Sequence, residues 1–413
     1  MKKVGFIITC MVILLGVILF LPKEKEQILV EDRNEENTNL VFMLQDEEGN
    51  YNKSDTLPSM GYTLNASKSV CSNDTTPTWE DNKLYLDNLT KNGTSCYLYF
   101  DIKPLAMNRI IANKEIRTRD DFSVTITETT TGVIYKSLDS TQYDNDGEVY
   151  YFAGNPQDNW AKFGGFYWRI IRINGDGSIR LIYQGTDANA TGEGTQIGTS
   201  VFNSLYNDNA YVGFKYTSGS VHGTGTNSII LTALNSWYTS NLSSYADKIE
   251  ENAGFCGDRT PSTSNTTSNN QGGTGTTETY YGTYIRLETN KQPTFECEND
   301  NDLYTTSGSS SGNKALQYPI GLITADEVAY AGGVNEVSNS GYYLYTGQNY
   351  WTMSPSFYSS YGYMFVVDFD GLLNNLRYVN YSFGVRPVIN LRSDVTLTGS
   401  GTTTDPYVVE GAE

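Results

Sequence analysis

Short apolar runs broken by Gly, Asn and Pro fill most of this chain, a pattern that predicts strands and turns rather than long helices. Leu40 to Leu44, Lys83 to Leu86 and Tyr97 to Asp101 read as strands of a small all-β module over 40–103. Phe166 to Ile173 and Ser178 to Tyr183 flank Asn174-Gly175-Asp176-Gly177, a hairpin signal because Asn and Gly tolerate positive φ. Met364 to Asp368 predicts a further strand that turns at Asp368-Phe369-Asp370-Gly371. Helical spacing is confined to a few places. Leu105 to Lys114 carries a short helical signal. Apolar residues at 229, 230, 231, 234, 237, 238 and 242 predict a helix over Ser228 to Leu242, with Trp237 and Tyr238 on its core face. Thr324 with Glu327 forms a capping box, and Gly332-Gly333 ends the helix that it starts.

The N-terminus has a different pattern. Lys2 and Lys3 precede an apolar run from Val4 to Leu21, which as a helix spans about 27 Å, close to a bilayer core. No small-residue cleavage site follows it, so residues 1–22 are expected to be an uncleaved transmembrane helix with its lysines inside; a cleaved signal peptide is the competing reading. A charged linker covers 23–39, and 104–147 reads as a connector to a large domain over 148–413. Thr260 to Glu278 is low-complexity sequence that cannot bury enough apolar surface to order itself, an insertion near 258–280, and Ser307 to Asn313 is similar.

Composition narrows the class. With 47 acidic against 28 basic residues and no basic stripe, nucleic-acid binding is a poor fit. Only 18% of residues are charged while Tyr numbers 32, which suits a β-rich exported protein better than a cytosolic enzyme. Cys10 lies in the apolar run, leaving Cys71, Cys96, Cys256 and Cys297, with no C-x-x-C spacing. Disulfides are expected; pairing within each apparent module gives Cys71–Cys96 and Cys256–Cys297, and four buried free thiols are the alternative. Trp79 is placed to pack on the first bridge.

Tyr350-Trp351-Thr352-Met353-Ser354-Pro355 and Gly384-Val385-Arg386-Pro387 frame the C-terminal hairpin. This W-x-x-S-P…G-V-R-P signature resembles bacterial, Firmicutes-type extracytoplasmic domains of unknown function. The resemblance reaches back to Tyr151-Phe152-Ala153-Gly154-Asn155, Phe163 to Arg172 and Gly321 to Gly332. Those domains are similar to the C-type-lectin-like fold of formylglycine-generating enzymes and of diversity-generating-retroelement variable proteins. The resemblance therefore implies an α+β, C-type-lectin-like domain with irregular loops. In the retroelement proteins the segment between such ends carries the ligand-binding residues. By that likeness the site here is Phe357, Tyr358, Tyr361, Tyr363, Asn374, Asn375, Arg377, Tyr378, Asn380 and Tyr381. Their types suit contact: Tyr supplies rigid amphipathic area, Asn adaptable hydrogen bonds. Ordinary surface in a Tyr- and Asn-rich chain is the competing reading, and Trp351 and Arg386 read as structural.

Chemistry is sparse. His222 is the single histidine and sits in a Gly/Thr-rich loop, so a three-histidine iron site is impossible. Cys256 and Cys297 do not match the copper-binding pattern of the formylglycine-generating enzymes. Gly308-Ser309-Ser310-Ser311-Gly312 spells G-x-S-x-G but has no preceding strand, and no P-loop, dinucleotide fingerprint or H-E-x-x-H occurs. Asp144-Asn145-Asp146-Gly147-Glu148 and Asp368-Phe369-Asp370-Gly371 are possible calcium loops that also serve as plain turns. The expectation is a membrane-anchored bacterial cell-surface protein, single-pass with its C-terminal domains outside, binding a glycan or protein, without catalytic residues or an obligatory cofactor. A structural envelope or pilus-associated protein and a metal-dependent oxidase on the same fold are the alternatives.

Overall fold

The computed structural model describes residues 38–46, 48–58, 61–80, 83–88, 93–102, 105–262 and 272–413. The expected transmembrane helix, most of the charged linker and the centre of the low-complexity insertion lie outside them. No helix among the described residues is long and apolar enough to cross a membrane. The chain divides into two compact units, at Pro104/Leu105.

In the first unit β1 (Thr38–Gln45), β2 (Tyr51–Ser54), β3 (Tyr62–Leu64), β4 (Val70–Cys71) and β7 (Thr94–Ile102) form one sheet in the order β2-β1-β7-β3, with β4 also on β7. β5 (Thr76–Glu80) and β6 (Lys83–Asp87) make a separate hairpin. β7 alternates strictly: Thr94, Cys96, Leu98 and Phe100 are buried. They meet Phe42, Leu84 and Leu86 in a core of few residues, which the Cys71–Cys96 disulfide fastens across the β4–β7 register. Trp79 stacks edge-on against Phe100 at 5.0 Å and donates its indole N–H to the Tyr62 carbonyl.

The second unit is mixed and strand-rich. Its α-helices longer than a single turn are α1 (Ala106–Ile111), α2 (Ile229–Asn241) and α3 (Ala325–Tyr330), and a short helical stretch runs from Gly282 to Asn290. In chain order its main strands are β8 (Glu115–Arg117), β9 (Val133–Lys136), β10 (Tyr150–Tyr151), β11 (Trp160–Phe163), β12 (Phe166–Ile173), β13 (Ile179–Gly185), β14 (Thr199–Val201) and β15 (Thr279–Tyr280). There follow β16 (Tyr350–Tyr358), β17 (Gly362–Val367), β18 (Leu373–Tyr378), β19 (Ser382–Gly384), β20 (Val388–Leu391), β21 (Leu397–Thr398) and β22 (Tyr407–Val409). Nine of them build one sheet, ordered β21-β22-β11-β12-β10-β9-β8, with β13 pairing β12 and β20 in turn. Six build the other, ordered β14-β19-β16-β17-β18, with β15 joining β16. The predicted hairpin around Asn174–Gly177 is β12–β13, and the Asp368–Gly371 turn links β17 to β18 with Gly371 at φ +80°. A side chain there would run into the Asn339 carbonyl, so glycine is required.

Helix boundaries follow their caps. Ser228 accepts from the Leu231 N–H, and the Thr324–Glu327 box is complete on both sides. Tyr238 is buried, and Trp237 packs among Phe166, Trp168 and Tyr183. Two readings need correction. Residues 105–147 are not a connector: β8 and β9 extend the nine-stranded sheet, and Ile110 and Ile134 are fully buried in its core. Ser307 to Asn313 is ordered despite its composition, because the Asn252 carboxamide oxygen accepts from Ser309 and from both the backbone and the hydroxyl of Ser310. Polar side chains do there what apolar burial cannot. The flanks of the insertion are held similarly, Asn209 donating to the Gly275 and Thr277 carbonyls.

Candidate functional site

The C-terminal hairpin belongs to the six-stranded sheet, where period-two alternation places one ring per strand on a common face. Tyr280 of β15 opposes Phe357 of β16, and Tyr363 of β17 opposes Tyr378 of β18. The rings form a continuous row: Tyr280–Phe357 at 5.4 Å, Phe357–Tyr363 at 4.1 Å and Tyr363–Tyr378 at 4.7 Å between centroids. The first two pairs lie nearly parallel. Cross-strand aromatic pairs of this kind each contribute roughly 0.5–1.5 kcal/mol beyond area burial, so the row stabilises the pairing of its four strands. The Tyr363 hydroxyl donates to that of Tyr378 at 3.2 Å, and burial together with that bond raises the Tyr363 phenol above its usual range.

Further rings extend the row at both ends. Tyr284 packs on Tyr280 and Phe357, Tyr361 and Tyr381 each meet Tyr378 edge-on, and Tyr206 leans on Tyr361. Tyr361, Tyr381 and Tyr206 are the exposed members, and Leu205 and Leu376 are exposed as well. Gly362 lets this strand start close to its neighbours, since a Cβ there would approach Val212 at 2.8 Å.

The ten predicted site residues separate under this geometry. Phe357, Tyr361, Tyr363, Tyr378 and Tyr381 share the aromatic face, and Asn380 is exposed in the turn before Tyr381. Tyr358 and Asn375 do not belong to the surface. They are 1% and 3% exposed, because their strand positions point to the opposite, inner side of the sheet. Asn374 and Arg377 are tied to a single carboxylate: buried Asp368 accepts from Asn374 at 2.8 Å and from Arg377 Nε at 3.1 Å. That network braces the hairpin and takes up Asp368, one of the two acids of the second possible calcium loop. Tyr280, Tyr284 and Tyr206 were not among the predicted residues. The Thr279-Tyr280 pair after the low-complexity stretch is too short to signal a strand, and Tyr206 arrives from a loop.

Trp351, within β16, and Arg386 are both buried, as expected of structural residues. Trp351 is fully buried and donates to the Ser200 carbonyl; Arg386 donates to the Tyr183 carbonyl and to Gln184, with its guanidinium 4.8 Å from the Tyr350 ring.

A small polar recess lies elsewhere in the same unit, with the Cys256–Cys297 disulfide in its wall. Glu327 sits at its floor. One oxygen accepts from the Thr324 N–H, completing the helix cap, and the other lies 3.1 Å from Arg172 and 2.5 Å from Arg180. Burial pulls the Arg180 guanidinium down to about 10, against the pull of Glu327. Arg286 grips Asp326 with two parallel bonds of 3.0 Å and also pairs with Asp258. Burial raises the Asp326 carboxyl despite Arg286. The buried cations are thus answered by buried carboxylates within the chain.

The remaining candidates have structural partners. Asp144 accepts from the Asp146, Gly147 and Gly175 amides, locking two turns together, and Glu148 pairs with Lys136. Among the described residues no three His, Cys, Asp or Glu side chains converge on a metal position. His222 lies 3.0 Å from Asp302 through Nδ1, and its Nε2 contacts Asn299 rather than a hydroxyl or thiol. Comparison of the chain with protein-family models, with curated proteins and with solved structures gives no match.

Proposed function

We propose that this chain is a membrane-anchored bacterial surface protein whose 105–413 unit binds an external ligand non-covalently through the aromatic face. The apolar run at 4–21 supplies the anchor in this reading, and the W-x-x-S-P…G-V-R-P resemblance supports a C-type-lectin-like identity for the binding unit. In keeping with that, Tyr350 and Gly384, one from each end motif, lie side by side in the six-stranded sheet.

The observation that carries the reading is the row of four rings across four adjacent strands. A row so built is pre-organised, and little entropy is lost when a partner orders against it. Its inner rings cover one another's faces, so a ligand meets ring edges and hydroxyls, with the exposed Tyr206, Tyr361 and Tyr381 around them. Edge and hydroxyl contacts are those that Tyr makes in protein recognition, whereas sugars require an open ring face. A protein ligand is therefore favoured over a glycan. Self-assembly is disfavoured by a net charge of -19, which sets copies of the chain against each other.

The test is a binding screen of residues 39–413 against cell-surface protein and glycan arrays, with and without calcium. Saturable binding to a protein supports the proposal. Copper or iron found in stoichiometric amount would favour the oxidase alternative, and concentration-dependent self-association would favour the structural one.

A further inference from the structure

Lys114 and Asp158 make an ion pair whose side chains are only 5% and 6% exposed. Neither end is free to move. Lys114 follows α1 with its N–H on the Ile111 carbonyl, and Asp158 enters β11, where Asn159 and Trp160 are both anchored by hydrogen bonds. The Phe152 ring lies 5.6 Å from Nζ. Asp158 Oδ2 takes the ammonium and the Gly132 N–H, at 2.9 Å, whereas Oδ1 is buried without a hydrogen bond.

We propose that Lys114 and Asp158 condense into an intramolecular amide, a covalent cross-link between Nζ and Cγ. The atoms balance within the pair. One proton passes from Nζ to the bare Oδ1, leaving an amine and a carboxylic acid. The Nζ lone pair attacks Cγ while the Gly132 N–H holds the charge that develops on Oδ2. The Cγ–Oδ1 bond then breaks, its electrons stay with oxygen, and a second proton from Nζ completes a water molecule. No oxidant or co-reactant is needed. Two features favour the step: the groups are held in contact by the fold, and a neutral amide replaces two charges that are costly to bury.

The bond would join the N-terminal edge of the second unit to β11, beside the centre of the nine-stranded sheet. Pull arriving from the N-terminal side would then load β11 and β12 rather than peel off β8 and β9. In a chain tethered by its N-terminus, this is the place where such reinforcement acts.

Mass spectrometry of the purified full chain tests this directly. The expected wild-type protein is one water lighter than its sequence after allowance for its two disulfides, and peptide mapping recovers a branched peptide joining Lys114 to Asp158. K114R and D158A regain the missing water, because a guanidinium and a methyl group cannot form the amide. A wild-type chain at full mass, or separate unmodified peptides bearing Lys114 and Asp158, overturns the proposal, and this wild-type result stands even if a variant fails to fold.

Discussion

Phe357 and Tyr363 stack nearly face to face on neighbouring strands, with centroids 4.1 Å apart and planes inclined by 17°. Each ring is thereby a neighbour's support while staying half-buried in the aromatic face. Tyr363→Ala removes contacts to Phe357 and Tyr378 together and is expected to lower stability by roughly 1–3 kcal/mol. Tyr361→Ala, at the exposed end, is expected to change stability by less than about 0.5 kcal/mol. Urea unfolding of the two variants checks the contrast; equal losses would mean that the row is not the brace described.

Glu327 holds two buried guanidiniums and a helix cap at once. Glu327→Ala leaves Arg180 as an uncompensated buried charge and Arg172 with only its longer contact to Asp144, with an expected loss of about 3–5 kcal/mol. Chemical denaturation measures it, and a loss under about 1 kcal/mol would show that water or another carboxylate replaces Glu327.

Burial raises the Asp176 carboxyl to about 6, although Ser178 donates to it through both backbone and hydroxyl. A folded-state value above the unfolded one means that the native state prefers the protonated acid. The stability from this group is therefore complete below the ordinary carboxylate value of about 3.8 and disappears as pH rises through 6. Asp176→Asn keeps the acceptor for Ser178 and abolishes the titration. The variant is expected to gain about 1–3 kcal/mol over wild type at neutral pH and to lose that advantage near pH 4. Thermal melts across this range decide it, and a gain that does not depend on pH would refute the assignment.

The Cys256–Cys297 bridge closes a separation of 41 residues that contains the low-complexity stretch. Replacing both cysteines by serine is expected to cost about 4 kcal/mol in the chain-entropy account. Guanidinium unfolding of the double variant against wild type is the measurement; a neutral outcome would mean that the excursion is already compact when unfolded.

Local signals carried most of what was legible. The Asn174–Gly177 hairpin, the Thr324–Glu327 box and the helix opened by Ser228 each rest on residues a few positions apart, and each formed where expected. Both disulfides follow from module membership. The joining of 105–147 to the large unit was not legible, because β8 and β9 are short and acquire their identity only by pairing in the sheet. Nor was the sorting of the site: Tyr358 and Tyr363 are the same residue type, and a bulged register decides which of them faces out. Tyr280 joins the row from a distant segment, and the Arg180–Glu327 pair is likewise set by tertiary packing alone.

The central claim is that the aromatic face binds. The direct measurement is a titration of the array-identified ligand against residues 39–413 and against the triple variant Tyr361→Ala, Tyr378→Ala, Tyr381→Ala, with folding checked by circular dichroism. Loss of at least about thirtyfold in affinity by a folded variant is predicted, the scale of one strong aromatic anchor or more. Unchanged affinity in a folded variant would place recognition elsewhere on the molecule and contradict the account.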